Sequence, residues 1–225
     1  KLGAIHTVVS TKARRMAERM GDAYVLIGPW LLSSGDVCDF EPDPAFDAFA
    51  EGCRAAGVPV RGGRWRIPGN PRTILVEFSG LYGKQDGILA GLWERFLVDS
   101  LSGGWDYIEP LLFGHAAGLV IERWWEEYLA GEHRRALVNA HEWMTASALL
   151  YLKKKVPSVG TVFTTHATVL GRTLSSNEQS PDDGLGELRA VCGDERQRLV
   201  ERGHDAHAQD QVEVLGVPVG VGRGG

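Results

Sequence analysis

Two histidines stand just after two short apolar runs, with neighbours that could do chemistry. Leu137-Val138 is followed by His141-Glu142-Trp143, and Val159 to Phe163 is followed by Thr164-Thr165-His166. A neutral imidazole can donate to or accept from a sugar hydroxyl, and an indole offers a face to a pyranose ring. Thr165, His166 and Arg172 gather hydroxyls, an imidazole and a guanidinium, groups suited to a phosphate or carboxylate. His141-Glu142 does not open a zinc-protease motif, because the second histidine would fall at position 145, which is Thr. A structural alternative stands beside each cluster. His141 could be satisfied by backbone with Trp143 in the core, and Arg172 could fix its loop through a salt bridge.

The elements between and before these clusters decide where they sit. Met144 to Lys155 is rich in Ala, Leu and Lys and reads as a helix. Two apolar runs joined by such a helix predict two parallel strands with a crossover, and both histidine clusters then share the strands' C-terminal edge. Open α/β sheets bind ligands at that edge. Upstream, Ile5 to Met20 has helical spacing, with Gly21 as its stop, and Ala23 to Ile27 reads as a buried strand. Asp43-Pro44 should open a helix that runs to about Ala56 and ends at Gly57. Val58 to Ile67 and Thr73 to Phe78 read as strands around the turn Pro68-Gly69-Asn70-Pro71. Gln85 to Asp99 should be helical, 100–104 a break, and 107–130 should hold a long helix with Gly114 and Gly118 for close packing. The expected fold class is α/β, with a doubly wound, mostly parallel Rossmann-like sheet. Lys1-Leu2-Gly3-Ala4, ahead of the first helix, reads either as an anion cradle or as a simple turn with a solvated lysine. A loop of that kind should follow a strand, so the first strand is expected to be missing.

Composition bounds the remaining classes. The chain has 225 residues, 44% hydrophobic and 24% charged, with a formal net charge of −5. That balance fits a globular domain and argues against a general nucleic-acid binder. No apolar run reaches the length of a membrane span, and no secretory signal is visible. Cys38, Cys53 and Cys192 lack metal or redox spacing and fit reduced thiols, so a cytoplasmic location is expected. The excess of acid lies entirely in residues 177–225, which also contain no Phe, Trp or Tyr. That segment is expected to be a weakly ordered acidic tail, with at most a helix near 185–202, leaving 1–176 as the domain. Its last six residues spell Gly-x-Gly-x-x-Gly, but no helix can follow, so they are no dinucleotide fingerprint.

Together these segments resemble the animal and fungal type of glycogen synthase and its bacterial relatives, the family 3 glycosyltransferases. KLGAIHTVVSTKA, AYVLIGP, GGRWRIPGNPRTILVEF, LWERF and DYIEPLLFGHAAG are all similar to family segments. AHEWMTASALL and FTTHATVLGR are the most specific. The resemblance covers 1 to about 176. It implies the N-terminal half of a two-domain GT-B fold and retaining transfer of glucose from UDP-glucose to the 4-hydroxyl of an α-1,4-glucan. No cofactor or metal is implied, because the nucleotide sugar is a substrate. Carried over, Lys1, Gly3 and Ala4 lie beside the donor diphosphate, and His141 is the catalytic residue that reaches the donor glucose. Glu142 and Trp143 shape the pocket wall, while Thr165, His166 and Arg172 stand on the same cleft edge. Ala4 and His6 depart from the family's glycine and tyrosine. The family's basic pair and its Glu-x7-Glu motif belong to a second domain; Glu187 and Glu195 have that spacing without its aromatic and glycine context. A C-terminal GT-B domain or a homo-oligomer is therefore the implied protein partner, with no nucleic acid and no membrane. A non-catalytic glucan-binding module and an inactive truncated fragment remain as alternatives.

Overall fold

Helix α1 (Ala4–Met20) places Ile5, Val9 and Ala13 four residues apart, so one face is apolar. Gly21, at φ +55, turns the chain into strand β1 (Tyr24–Pro29). The computed structural model describes residues 4–30, 39–132, 135–166 and 212–217. The chain divides into two compact units, Lys1–Thr164 with Ala208–Gly225, and Thr165–His207. The elements below belong to the first.

Strand β2 (Phe40–Pro42) precedes a 3-10 turn at Pro44–Phe46, where the Asp43 side chain accepts from the Ala45 amide. The capping residue thus acts where expected, but the α-helix proper, α2 (Asp47–Ala55), starts later and stops before Gly57 at φ +83. Strands β3 (Val60–Trp65) and β4 (Arg72–Val76) flank the expected turn, with Gly69 and Asn70 in the left-handed region. Helix α3 (Gln85–Phe96) is followed by the long helix α4 (Trp105–Tyr128). Strand β5 (Arg135–His141), helix α5 (Ala146–Lys155) and strand β6 (Gly160–Thr164) form the predicted crossover unit. Strand β7 (Val212–Val217) lies inside the segment expected to be weakly ordered.

The sheet order is β2-β3-β4-β1-β7-β5-β6. Strands β1 and β4 pair in parallel, as do β5 and β6. The other four pairings are antiparallel, so the described sheet is mixed rather than mostly parallel. Two local causes explain the difference. The short link through Pro68-Gly69-Asn70-Pro71 can only return the chain as a hairpin, since a parallel connection needs a dozen residues or more. In addition, β7 inserts antiparallel between β1 and β5, which leaves those two strands running the same way. Strands β1, β4, β5 and β6 therefore end at one common edge.

Both faces of β1 are covered. Val25 and Ile27 join the main core with Phe49 of α2, Phe113 and Val120 of α4, and Leu152 of α5. Tyr24 and Leu26 pack instead with Ile5, Val9 and Ala13 of α1. Gly114 and Gly118 let α4 approach α5: a Cβ would fall 2.2 Å from Ser147 Oγ at the first and 2.8 Å from the Tyr151 side chain at the second. Cys53 is a buried free thiol in the core, and desolvation pushes its pKa up to about 12; Cys38 and Cys192 lie outside the described residues. Among the described residues, no helix is long and apolar enough to cross a membrane.

Candidate functional site

Strand β5 alternates its two faces. Ala136 and Val138 enter the main core, so Asn139 and His141 point to the other face, the side on which α1 covers β1. Both are buried, His141 at 1% exposure. Asn139 Nδ2 lies 3.3 Å from His141 Nε2, and Thr164 Oγ1 donates to Asn139 Oδ1 at 2.8 Å. Thr164 stands opposite His141 in the β5–β6 register, so the chain of contacts spans two parallel strands at their C-terminal ends. Thr145 Oγ1 donates to the His141 carbonyl at 2.9 Å and closes the turn below it.

The chain bends sharply after the histidine. Glu142 has φ 65 and ψ 168, a conformation that a side-chain-bearing residue rarely adopts. It is fixed on both sides: its amide donates to the Thr164 carbonyl at 2.9 Å, and its carbonyl accepts from the Thr145 amide at 3.2 Å. The strain turns the strand at once into the 3-10 turn that leads to α5. Trp143, the next residue, is 43% exposed and stacks on Tyr107, with ring centroids 5.7 Å apart and planes 16° from parallel.

Tyr107 is one of two aromatic anchors at the N-terminal end of α4. The other is Trp105, 45% exposed, which meets Tyr82 edge-on at 4.9 Å. Tyr82 donates to Glu109, and Tyr107 to the Asp99 carbonyl, each at 3.2 Å. Burial first, then the nearby acids, raise both phenol pKa values, so the rings stay protonated donors. Exposed aromatic rings with polar tips suit the mixed apolar and hydroxyl surface of a sugar. Among the described residues, no group of three or more His, Cys, Asp and Glu side chains could hold a metal ion.

The structure brings His141, Glu142 and Trp143 together at the end of β5. Neither simple alternative describes them fully: His141 is held by side chains as well as backbone, and Trp143 is outside the core. Ala4 is the first residue of α1. Thr165 and His166 follow β6 and open the second unit. Lys1, Gly3 and Arg172 lie outside the described residues. Asn139 is absent from the residues that the sequence points to, and Thr164 enters there only as a member of the polar cluster after the second apolar run. The available signal was a polar residue two positions before a histidine on one strand, which places both on one face.

A family model described as Glycogen synthase matches residues 1–185. The chain is 33% identical over 178 residues to glycogen [starch] synthase of Neurospora crassa, covering 77% of this chain and 25% of that protein. Identity to glycogen [starch] synthase of Dictyostelium discoideum is 33% over 183 residues, 78% of this chain and 20% of the relative. The liver glycogen [starch] synthase of Mus musculus is 30% identical over 177 residues, with coverages of 77% and 25%. The chain thus spans about a quarter, or less, of the length of these curated relatives.

Proposed function

We propose that this chain, which belongs to the glycogen synthase family, supplies the N-terminal half of a retaining glucosyltransferase cleft. In this reading the sheet is the first of two Rossmann-like domains of a GT-B enzyme. The donor is UDP-glucose, and the acceptor is the 4-hydroxyl at the end of an α-1,4-glucan. A C-terminal domain, or a second copy, completes the cleft.

The observation that carries the reading is the Thr164–Asn139–His141 chain at the common C-terminal strand edge, followed by the strained Glu142. An amide N–H is a donor only, so Asn139 requires His141 Nε2 as acceptor and leaves the ring proton on Nδ1. A ring fixed in one tautomer is a preorganised partner for a sugar hydroxyl, which is how such groups lower a barrier without reorganising. His141 takes the donor glucose, and Glu142 and Trp143 form the wall beside it. Lys1, Gly3 and Ala4 take the diphosphate, since the free amides of a helix start favour anions. Thr165, His166 and Arg172 add hydroxyl, imidazole and guanidinium contacts. No metal or cofactor takes part.

The burial of His141 and the exposure of Trp143 and Trp105 favour a second reading, a glucan-binding module without donor chemistry. Nucleotide dependence separates the two. Labelled glucose incorporation into glycogen from UDP-glucose is measured for the chain with and without a family C-terminal domain. The half-cleft reading expects turnover only on addition, and a loss of about a hundredfold or more in His141→Ala. Folded chain that stays inactive with the added domain overturns it, and nucleotide-independent retention on glycogen then supports the module.

A further inference from the structure

The other end of α5 carries a feature that the strand-edge site does not use. An open cavity of about 360 Å³ lies between α3, α4 and α5, within the size of a small-molecule site. Four cations line it: Lys84 and Arg95 flank or end α3, and Lys154 and Lys155 close α5. No carboxylate lines it, and none of the four cations forms an ion pair among the described residues. Glu122, which accepts from the Tyr151 hydroxyl, is not part of the lining.

All four cations are exposed, so water and salt screen their mutual repulsion, but the local potential is positive and favours an anion. The effect registers on Lys154, whose pKa is lowered by desolvation and by Arg95 and Lys155. The rest of the wall is not charged. Phe96 and Leu150 pack against the buried Leu89, Leu92 and Leu111. His115 sits edge-on to Tyr151 at 4.9 Å; burial and then Lys154 bring its pKa down to about 4. At neutral pH the ring is uncharged, a hydrogen-bonding group rather than a fifth cation. Gly87 and Gly91 lie one helical turn apart on α3, and a Cβ at either would meet nothing within 4 Å.

We propose that this cavity binds a soluble organic phosphate, its phosphate held by Arg95, Lys154 and Lys155 and its ring or apolar body laid on Phe96 and Leu150. The charged wall selects the anion, and the apolar wall distinguishes an ester from free phosphate. The site is separate from the strand edge. Helix α5 leaves the His141 edge at Ala146 and lines the cavity from Leu150 to Lys155, about 6 to 14 Å along its axis.

Phenyl phosphate is the probe, titrated calorimetrically into the 225-residue chain at low salt, with inorganic phosphate and phenol as the two half-ligands. Phenyl phosphate should bind at least tenfold more tightly than either. Arg95→Ala/Lys154→Ala should weaken it at least tenfold while leaving the circular dichroism spectrum unchanged. Gly91→Leu keeps all four cations, fills the cavity, and should weaken it similarly. Equal affinity for phenyl phosphate and inorganic phosphate, no binding at all, or binding indifferent to both variants overturns the proposal. Because no readout involves glucosyl transfer, the result stands apart from the fate of the half-cleft reading.

Discussion

Asn139 and His141 stand two residues apart on β5, on one face of the sheet, with the amide nitrogen 3.3 Å from the imidazole Nε2. Asn139 is also the acceptor for Thr164 on the neighbouring strand. One amide thus sets the ring and ties β5 to β6. Asn139→Ala should cost about 1–3 kcal/mol, since a buried ring nitrogen and a hydroxyl both lose a partner. Urea denaturation reads the cost. Nitrogen chemical shifts of the His141 ring read its tautomer, which should be Nδ1-protonated in the parent and mixed in the variant. An unchanged tautomer in Asn139→Ala would show that another group orients the ring.

Glu142 holds a positive φ that glycine adopts without penalty. The strain is worth about 1–3 kcal/mol, and the added freedom of an unfolded glycine returns roughly 0.5–1 kcal/mol of that. Glu142→Gly should therefore raise the urea midpoint, by a net stabilisation of up to about 2 kcal/mol. Under the half-cleft reading it should lower transfer activity at the same time. A midpoint that falls would mean that contacts of the carboxylate outweigh the strain.

His115 gives the folded chain an acid limit. Its ordinary pKa of 6.5 falls to about 4 in the fold, from burial first and Lys154 second. Between those values the unfolded chain binds a proton that the folded chain does not, so stability rises with pH there. The contribution is complete above about pH 6.5 and is lost as pH falls through 4, with a full extent of about 3 kcal/mol. His115→Gln should flatten the stability curve over that window. Identical slopes for parent and variant would assign the acid limb to other groups.

Local chemistry made much of this architecture legible. Asp43 and Pro44 announced a turn into a helix, Gly57 its end, and Pro68 to Pro71 the reversal between β3 and β4. The position of His141 at the end of β5, followed by a helix and a parallel partner, was readable from apolar runs and spacing. What escaped was nonlocal. Strand β7 is six residues, VEVLGV, in a segment without aromatics, and its pairing partners are residues 24–27 and 135–140. No local periodicity encodes partners so distant. The three residues of β2 are too few for any period to show. The Asn139 contact was hidden differently, because a single polar residue inside an apolar run reads as an interruption until the strand's faces are known.

The central place of β7 sets an order of assembly. The strands β2-β3-β4-β1 form one hydrogen-bonded ribbon and β5-β6 another, and among the described residues β7 alone bridges them. The β1–β7 ladder joins Val25 to Val214 across most of the chain, and the β5–β7 ladder joins Val138 to Val214 across about a third of it, so both come late and slowly. During synthesis the two ribbons leave the ribosome first, each with a bare inner edge, at β1 and at β5. Until residues 212–217 arrive, those edges are open templates for any extended chain nearby.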